Sequence, residues 1–103
     1  MNVQNLNEYM VKIDLPAEPD EEFAALIPAQ QSHVDDLMRK GILTGYSLSA
    51  DRSTLWMTFL SFSEQAVAAT IRLMPMSQYM QPKIIELMFH QMPTFSVPTF
   101  SWN

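Results

Sequence analysis

The chain alternates between two hydrophobic periods, and their order predicts the architecture. In residues 8–15, Tyr9, Val11, Ile13 and Leu15 alternate with Met10, Lys12 and Asp14, the period-two pattern of a strand. Pro16 closes that run. Asp20, Glu21 and Glu22 then open a segment whose apolar positions, Phe23, Leu26, Ile27, Val34, Leu37 and Met38, form one helical stripe, and Arg39 and Lys40 precede Gly41 at its end. Acidic residues at the start, basic residues at the finish and a terminal glycine match the helix macrodipole and a glycine cap. Pro28 interrupts the pattern, because it lacks a backbone donor and its ring crowds the carbonyl of Ala24, so a kink or two abutting helices are expected.

Residues 42–49 and 54–61 flank the polar connection Ala50-Asp51-Arg52-Ser53 and read as an antiparallel hairpin, with Leu55, Met57 and Phe59 facing one way and Trp56 and Leu60 the other. Ser61 and Glu64 have capping-box spacing, Ser63 competes as N-cap, and the helix that follows must stop by Pro75. Its buried stripe should be Val67, Ile71 and Met74. After a loop over residues 75–78, residues 83–90 are predicted as a fourth strand, with Ile85, Leu87 and Phe89 opposite Ile84 and Met88. The order β-α-β-β-α-β is the ferredoxin-like one, an α+β fold with a four-stranded antiparallel sheet and both helices on one face. Strands ~4.8 Å apart and helices ~10 Å across let two helices cover that face and no more. Apolar side chains remain on the other, so pairing with a second copy is expected.

At 103 residues the chain is one domain, taken as residues 1–90 followed by a tail, residues 91–103. The tail repeats Pro-Thr-Phe-Ser at 93–96 and 98–101, ends Trp102-Asn103 and has no charged side chain. It is expected to pack on its own sheet or on a neighbouring subunit. Eleven acidic against six scattered basic residues give a net charge of −5, which disfavours nucleic acid and anionic membranes as partners. No cysteine is present, and no leader or membrane-spanning run is apparent, so a cytoplasmic protein is expected. Neither a metal nor another cofactor is called for, since no HxxxH, HxH or cysteine pairing occurs.

The stretch Leu73-Met74-Pro75-Met76-Ser77-Gln78-Tyr79-Met80, leading into a strand that finishes at His90, resembles the corresponding part of muconolactone isomerases. The similarity extends without gaps back to about Leu26, through Leu37, Arg39, Gly41, Trp56 and Phe59, about two-thirds of the chain. What it implies is a dimeric α/β barrel, often in larger assemblies, acting on a small cyclic compound. The family's enzymes carry charged residues along the first helix and a Trp-Arg-His-type cluster entering the second strand. Here those positions read Ile27-Pro28-Ala29-Gln30-Gln31 and Leu43-Thr44-Gly45-Tyr46. Moving a lactone double bond needs a base beside a carbonyl and a donor or cation for the enolate, and most of the expected ionisable groups are missing.

The remaining candidates are few. His33 can serve as a general base or be a boundary histidine bonded to Gln30 or Asp36. Tyr46 joins it as the second catalytic candidate. Tyr79, Trp56, His90 and Arg52 are the ligand-binding candidates: Tyr79 offers a flat apolar body with a hydroxyl, His90 matches a family histidine, and Arg52 with Asp51 can grip a carboxylate or form a surface ion pair. Nine methionines can line an adaptable cavity or fill core gaps. The expected function is binding or isomerisation of a small cyclic, apolar or aromatic compound by a homodimer or larger homo-oligomer. The rivals are a non-catalytic assembly module that exchanges its tail and a cofactor-independent monooxygenase-like enzyme.

Overall fold

A computed structural model describes residues 6–91. Strand β1 (Asn7–Asp14) leads to helix α1 (Glu21–Arg39), the hairpin β2 (Leu43–Leu48) and β3 (Thr54–Ser61), helix α2 (Glu64–Arg72), a single 3-10 turn (Ser77–Tyr79) and strand β4 (Pro82–Glu86). The sheet runs β2-β3-β1-β4 with every neighbouring pair antiparallel, which is the ferredoxin-like arrangement. Consecutive strands joined by a helix are thereby split by a third, so β1 and β3 occupy the centre.

Parity along the strands fixes the core. Tyr9, Val11 and Ile13 of β1 and Leu55, Met57 and Phe59 of β3 are buried on one face, where Val34 and Leu37 of α1 and Val67 and Ile71 of α2 close over them. Both helices therefore share that face. The amphipathic stripe expected of α2 is buried as far as Met74, and Ser63, not Ser61, supplies the N-cap by accepting from the Ala66 amide at 3.0 Å.

Helix α1 is capped at both ends as its sequence requires. Asp20 Oδ1 accepts from the Phe23 amide at 2.8 Å. At the other end Gly41, at φ +75, lets its own amide reach Met38 O while the Ile42 amide reaches Leu37 O, the paired bonds of a Schellman motif. The helix is uninterrupted at Pro28, so of the two outcomes expected there, a kink or two abutting helices, the second does not occur. Pro28 and Ala24 both lie on the exposed side, where solvent can replace the missing donor of the Ala24 carbonyl.

One strand boundary and one register differ from the sequence pattern. β4 ends at Glu86, with one further ladder bond from the Leu87 amide to Glu8 O at 2.9 Å, and does not run to His90. Among the described residues it pairs with β1 alone, and the backbone bends at Met88, so the ladder ends there although Asn7, the first residue of β1, continues the register. In β2 the register slips between Leu43 and Gly45, so Thr44 is an extra residue bulged out of the ladder. The outer face of the sheet carries Met10, Trp56, Leu60 and Ile85, interleaved with Glu8, Lys12, Lys83 and Thr58. It is more polar than a second hydrophobic face would be. The repeat over residues 93–101 lies outside the described residues.

Candidate functional site

Between α1, the edge strand β2 and the turn before β4 lies a cavity of about 180 Å³. Its walls are Leu15, Phe23, Ile27, Leu48, Leu55, Met76 and Met80, and its polar groups come from Gln30, Gln31, Tyr46 and Tyr79. None of these side chains carries a formal charge at neutral pH. Ile27 and Leu48, exposed by 47% and 52%, belong to this lining, which accounts for large apolar side chains left open to solvent on otherwise well-covered elements.

The bulge at Thr44 is what admits Tyr46. Leu43 faces the core opposite Phe59, and strict alternation from it would turn Gly45 inward and Tyr46 outward. The extra residue reverses the parity, so Gly45 stands opposite outward-facing Thr58 and Tyr46 stands opposite inward-facing Met57. Thr44 Oγ1 donates to Thr58 O at 3.2 Å across the irregularity. A side chain at position 45 would crowd this join, because a Cβ there would lie 3.2 Å from Thr58 Oγ1.

Gln30 is the polar centre of the cavity wall. It is only 4% exposed, and it sits on the same helical stripe as Phe23, Val34 and Leu37. Its Oε1 accepts from the Met76 amide at 3.1 Å, and its Nε2 donates to Tyr46 Oη at 3.4 Å and to Met74 Sδ at 3.5 Å. One side chain thus ties α1 to the segment after α2 and to the edge strand. The signal in the sequence was a glutamine spaced three and four residues from apolar neighbours on a buried face, a position where an uncompensated amide would be costly.

Tyr79 stands at the other end of the cavity. Its ring meets Phe23 edge to face with centroids 5.1 Å apart, and its hydroxyl donates to Asp20 Oδ1 at 3.4 Å. Burial pushes the phenol above its ordinary pKa; a hydrogen bond with the Gln78 side chain opposes this, and the nearby carboxylates of Asp20 and Glu22 add to the rise. At neutral pH Tyr79 is a donor.

The other candidates are dispersed. His33 is half-buried on α1 outside the cavity lining, and the partners expected for it are engaged elsewhere: Gln30 as above, Asp36 with Lys40 at 2.9 Å and Arg39 at 3.2 Å. Trp56 lies on the opposite face of the sheet, paired across with Lys12, because it has the opposite parity to Leu55 and Met57. His90 is exposed beyond the end of β4. Arg52 occupies the left-handed region at φ 64 in the β2–β3 turn and borders a larger cleft that shares Leu15, Phe23, Ile27 and Leu48 with the cavity. It makes no ion pair with Asp51 among the described residues. Asp51 is held instead by Ser49 Oγ at 2.6 Å, Ser53 Oγ at 2.7 Å and the Ser53 amide at 3.0 Å, bonds that lower its pKa to about 2. Among the described residues no cluster of three or more His, Cys, Asp or Glu side chains could hold a metal ion, and no helix is long and apolar enough to cross a membrane.

The family model for muconolactone delta-isomerase matches residues 7–92, every strand and helix described above. The chain belongs to that family. A crystal structure of muconolactone isomerase superposes with a TM-score of 0.67 at 22% identity, covering 86% of this chain and 96% of its own, and so shares the fold of this family member. A conserved Bacteroides thetaiotaomicron protein of unknown function, described as a possible oxidoreductase, gives a TM-score of 0.46 at 12% identity, over 84% of this chain and 100% of its own. No curated protein matches the sequence.

Proposed function

We propose that this member of the muconolactone isomerase family binds a small, uncharged, single-ring compound in the cavity between α1 and the sheet. The observation that carries this reading is the lining itself, apolar walls with four neutral polar side chains and no charged one. The size agrees: about 180 Å³ compares with about 150 Å³ for an engineered apolar cavity that takes up benzene. Isomerisation is the narrower reading, and it needs a base. The titratable groups on the lining are Tyr46 and Tyr79, the second with a raised pKa, and a protonated phenol serves as donor and not as base near neutral pH. Binding is therefore better supported than proton abstraction.

Titration with unsaturated γ-lactones and substituted phenols, followed by the methyl resonances of Met76 and Met80, tests this directly. Saturable shifts of those two methyls are expected; their absence up to the solubility limit of every compound would remove the reading. The same lactones, followed by ultraviolet absorbance for movement of the double bond, should show no turnover above buffer. Turnover that disappears in His33→Ala would establish the isomerase reading instead.

The oligomer belongs to the same proposal. Trp56 and Ile85, exposed by 37% and 45%, and half-buried Met10 and Leu60 give the outer sheet face an apolar strip, which a second copy of the chain would cover. Light scattering should give a mass above that of one chain, and Trp56→Glu should lower it. A wild-type protein that runs as a single chain at micromolar concentration would refute this part.

A further inference from the structure

The hydrogen-bond inventory around Gln30 decides which kind of ring compound the cavity should prefer. The Met76 amide can only donate, so the atom 3.1 Å from it must be the Gln30 oxygen, and the orientation of the carboxamide is thereby fixed. Its nitrogen then faces Tyr46 and Met74, one hydrogen for each. Because an amide nitrogen has no accepting lone pair, Tyr46 Oη must be the acceptor in this contact. Its own proton has no acceptor among the described residues. Tyr46 and Gln30 both line the cavity, so the donor left over stands on its wall.

We infer that the Tyr46 hydroxyl, oriented by Gln30, donates a hydrogen bond to a ring carbonyl, and that the cavity prefers neutral cyclic ketones and lactones over hydrocarbons of the same shape. Gln30 is the positioning residue: by donating to Oη from α1 it turns the hydroxyl proton away from that helix. A ketone meets this donor with a lone pair. A carboxylate would exchange full hydration for a neutral phenol in an apolar cleft, which is costly.

This inference rests on the binding reading, and one experiment separates the two. Cyclohex-2-enone and 1-methylcyclohexene, which differ chiefly in the carbonyl, are titrated against the wild type, Tyr46→Phe and Gln30→Met, with the Met76 and Met80 methyl resonances reporting occupancy. The wild type should bind the enone more tightly than the alkene. Tyr46→Phe should weaken the enone about 2- to 12-fold, the range for one net hydrogen bond, and leave the alkene unchanged. Gln30→Met should reduce the enone-to-alkene affinity ratio, a quantity that general loosening of the cavity would not move. If both probes bind equally well, or Tyr46→Phe binds the enone as the wild type does, the Tyr46 assignment is overturned while the binding reading stands. If neither probe shifts the two methyls but other rings in the wild-type titration do, the carbonyl preference is overturned. Silence from all rings overturns the binding reading itself, and this inference with it.

Discussion

Replacing Gln30 by methionine tests the link between the cavity and the stability of the fold. Methionine has nearly the length of glutamine and no hydrogen-bonding amide, so the space stays filled while the three contacts to Met76, Tyr46 and Met74 go. The Tyr46 hydroxyl loses only a donor to its oxygen, which stands on the cavity wall, and the sulfur contact was weak. The Met76 amide cannot adapt, because Met76 is only 6% exposed and its N–H loses its acceptor. Leaving such a donor buried and unsatisfied costs about 1–3 kcal/mol. At about 4–8 °C per kcal/mol for a domain near this size, a loss of about 2 kcal/mol lowers Tm by about 8–16 °C. Thermal and urea unfolding followed by circular dichroism would measure both. Gln30→Glu supplies the control with a pH sign. It keeps an oxygen for the Met76 amide but buries a carboxylate, so its folded pKa must lie above the unfolded value of about 4.3. Its stability should approach that of the wild type below that value and fall as the pH rises. If Gln30→Met unfolds within about 0.5 kcal/mol of the wild type, a change typical of uninvolved surface positions, the bond to Met76 is not holding the segment in place.

Three further outcomes follow from the loops and caps. Arg52 holds φ at 64, a conformation costing a non-glycine residue roughly 1–2 kcal/mol, so Arg52→Gly should melt no lower than the wild type and Arg52→Val at least about 1 kcal/mol below the glycine variant; equal melting of both variants would contradict this. Asp51, with its pKa lowered to about 2 by Ser49 and Ser53, should support the hairpin fully above the ordinary value of 3.8 and lose that support as the pH falls toward 2; a carboxyl titration by NMR that gives an ordinary pKa, or one left unmoved by Ser49→Ala, would dismiss the seryl bonds. Asp20→Ala should cost about 0.5–2 kcal/mol as a lost N-cap while Asp20→Asn costs little, and Asp20→Asn should also bring the Tyr79 phenol down toward its ordinary pKa, read by ultraviolet difference titration against Tyr79→Phe.

Local chemistry was legible in the sequence wherever short-range signals agreed with one another. The parity of Tyr9, Val11 and Ile13, the stripe Val67, Ile71 and Met74, the acidic start over Asp20, Glu21 and Glu22 and the glycine finish at Gly41 each depend on neighbours within a turn or a strand, and together they order the elements into a ferredoxin-like sheet, whereas the choice between Ser61 and Ser63 as N-cap stays open in the sequence. Tertiary structure decided what depended on a distant partner. β4 stops at Glu86, with the backbone bending out of the ladder at Met88, although the alternation in its own residues continues toward His90. Gln30 matters because Met76, 46 residues away, brings it a backbone donor. Tyr46 reaches the cavity only because Thr44 is bulged from the ladder, and a one-residue change of register reverses the face of every side chain after it. Periodicity along the chain can say that a strand has two faces, but the pairing of β2 with β3 sets which one Tyr46 occupies.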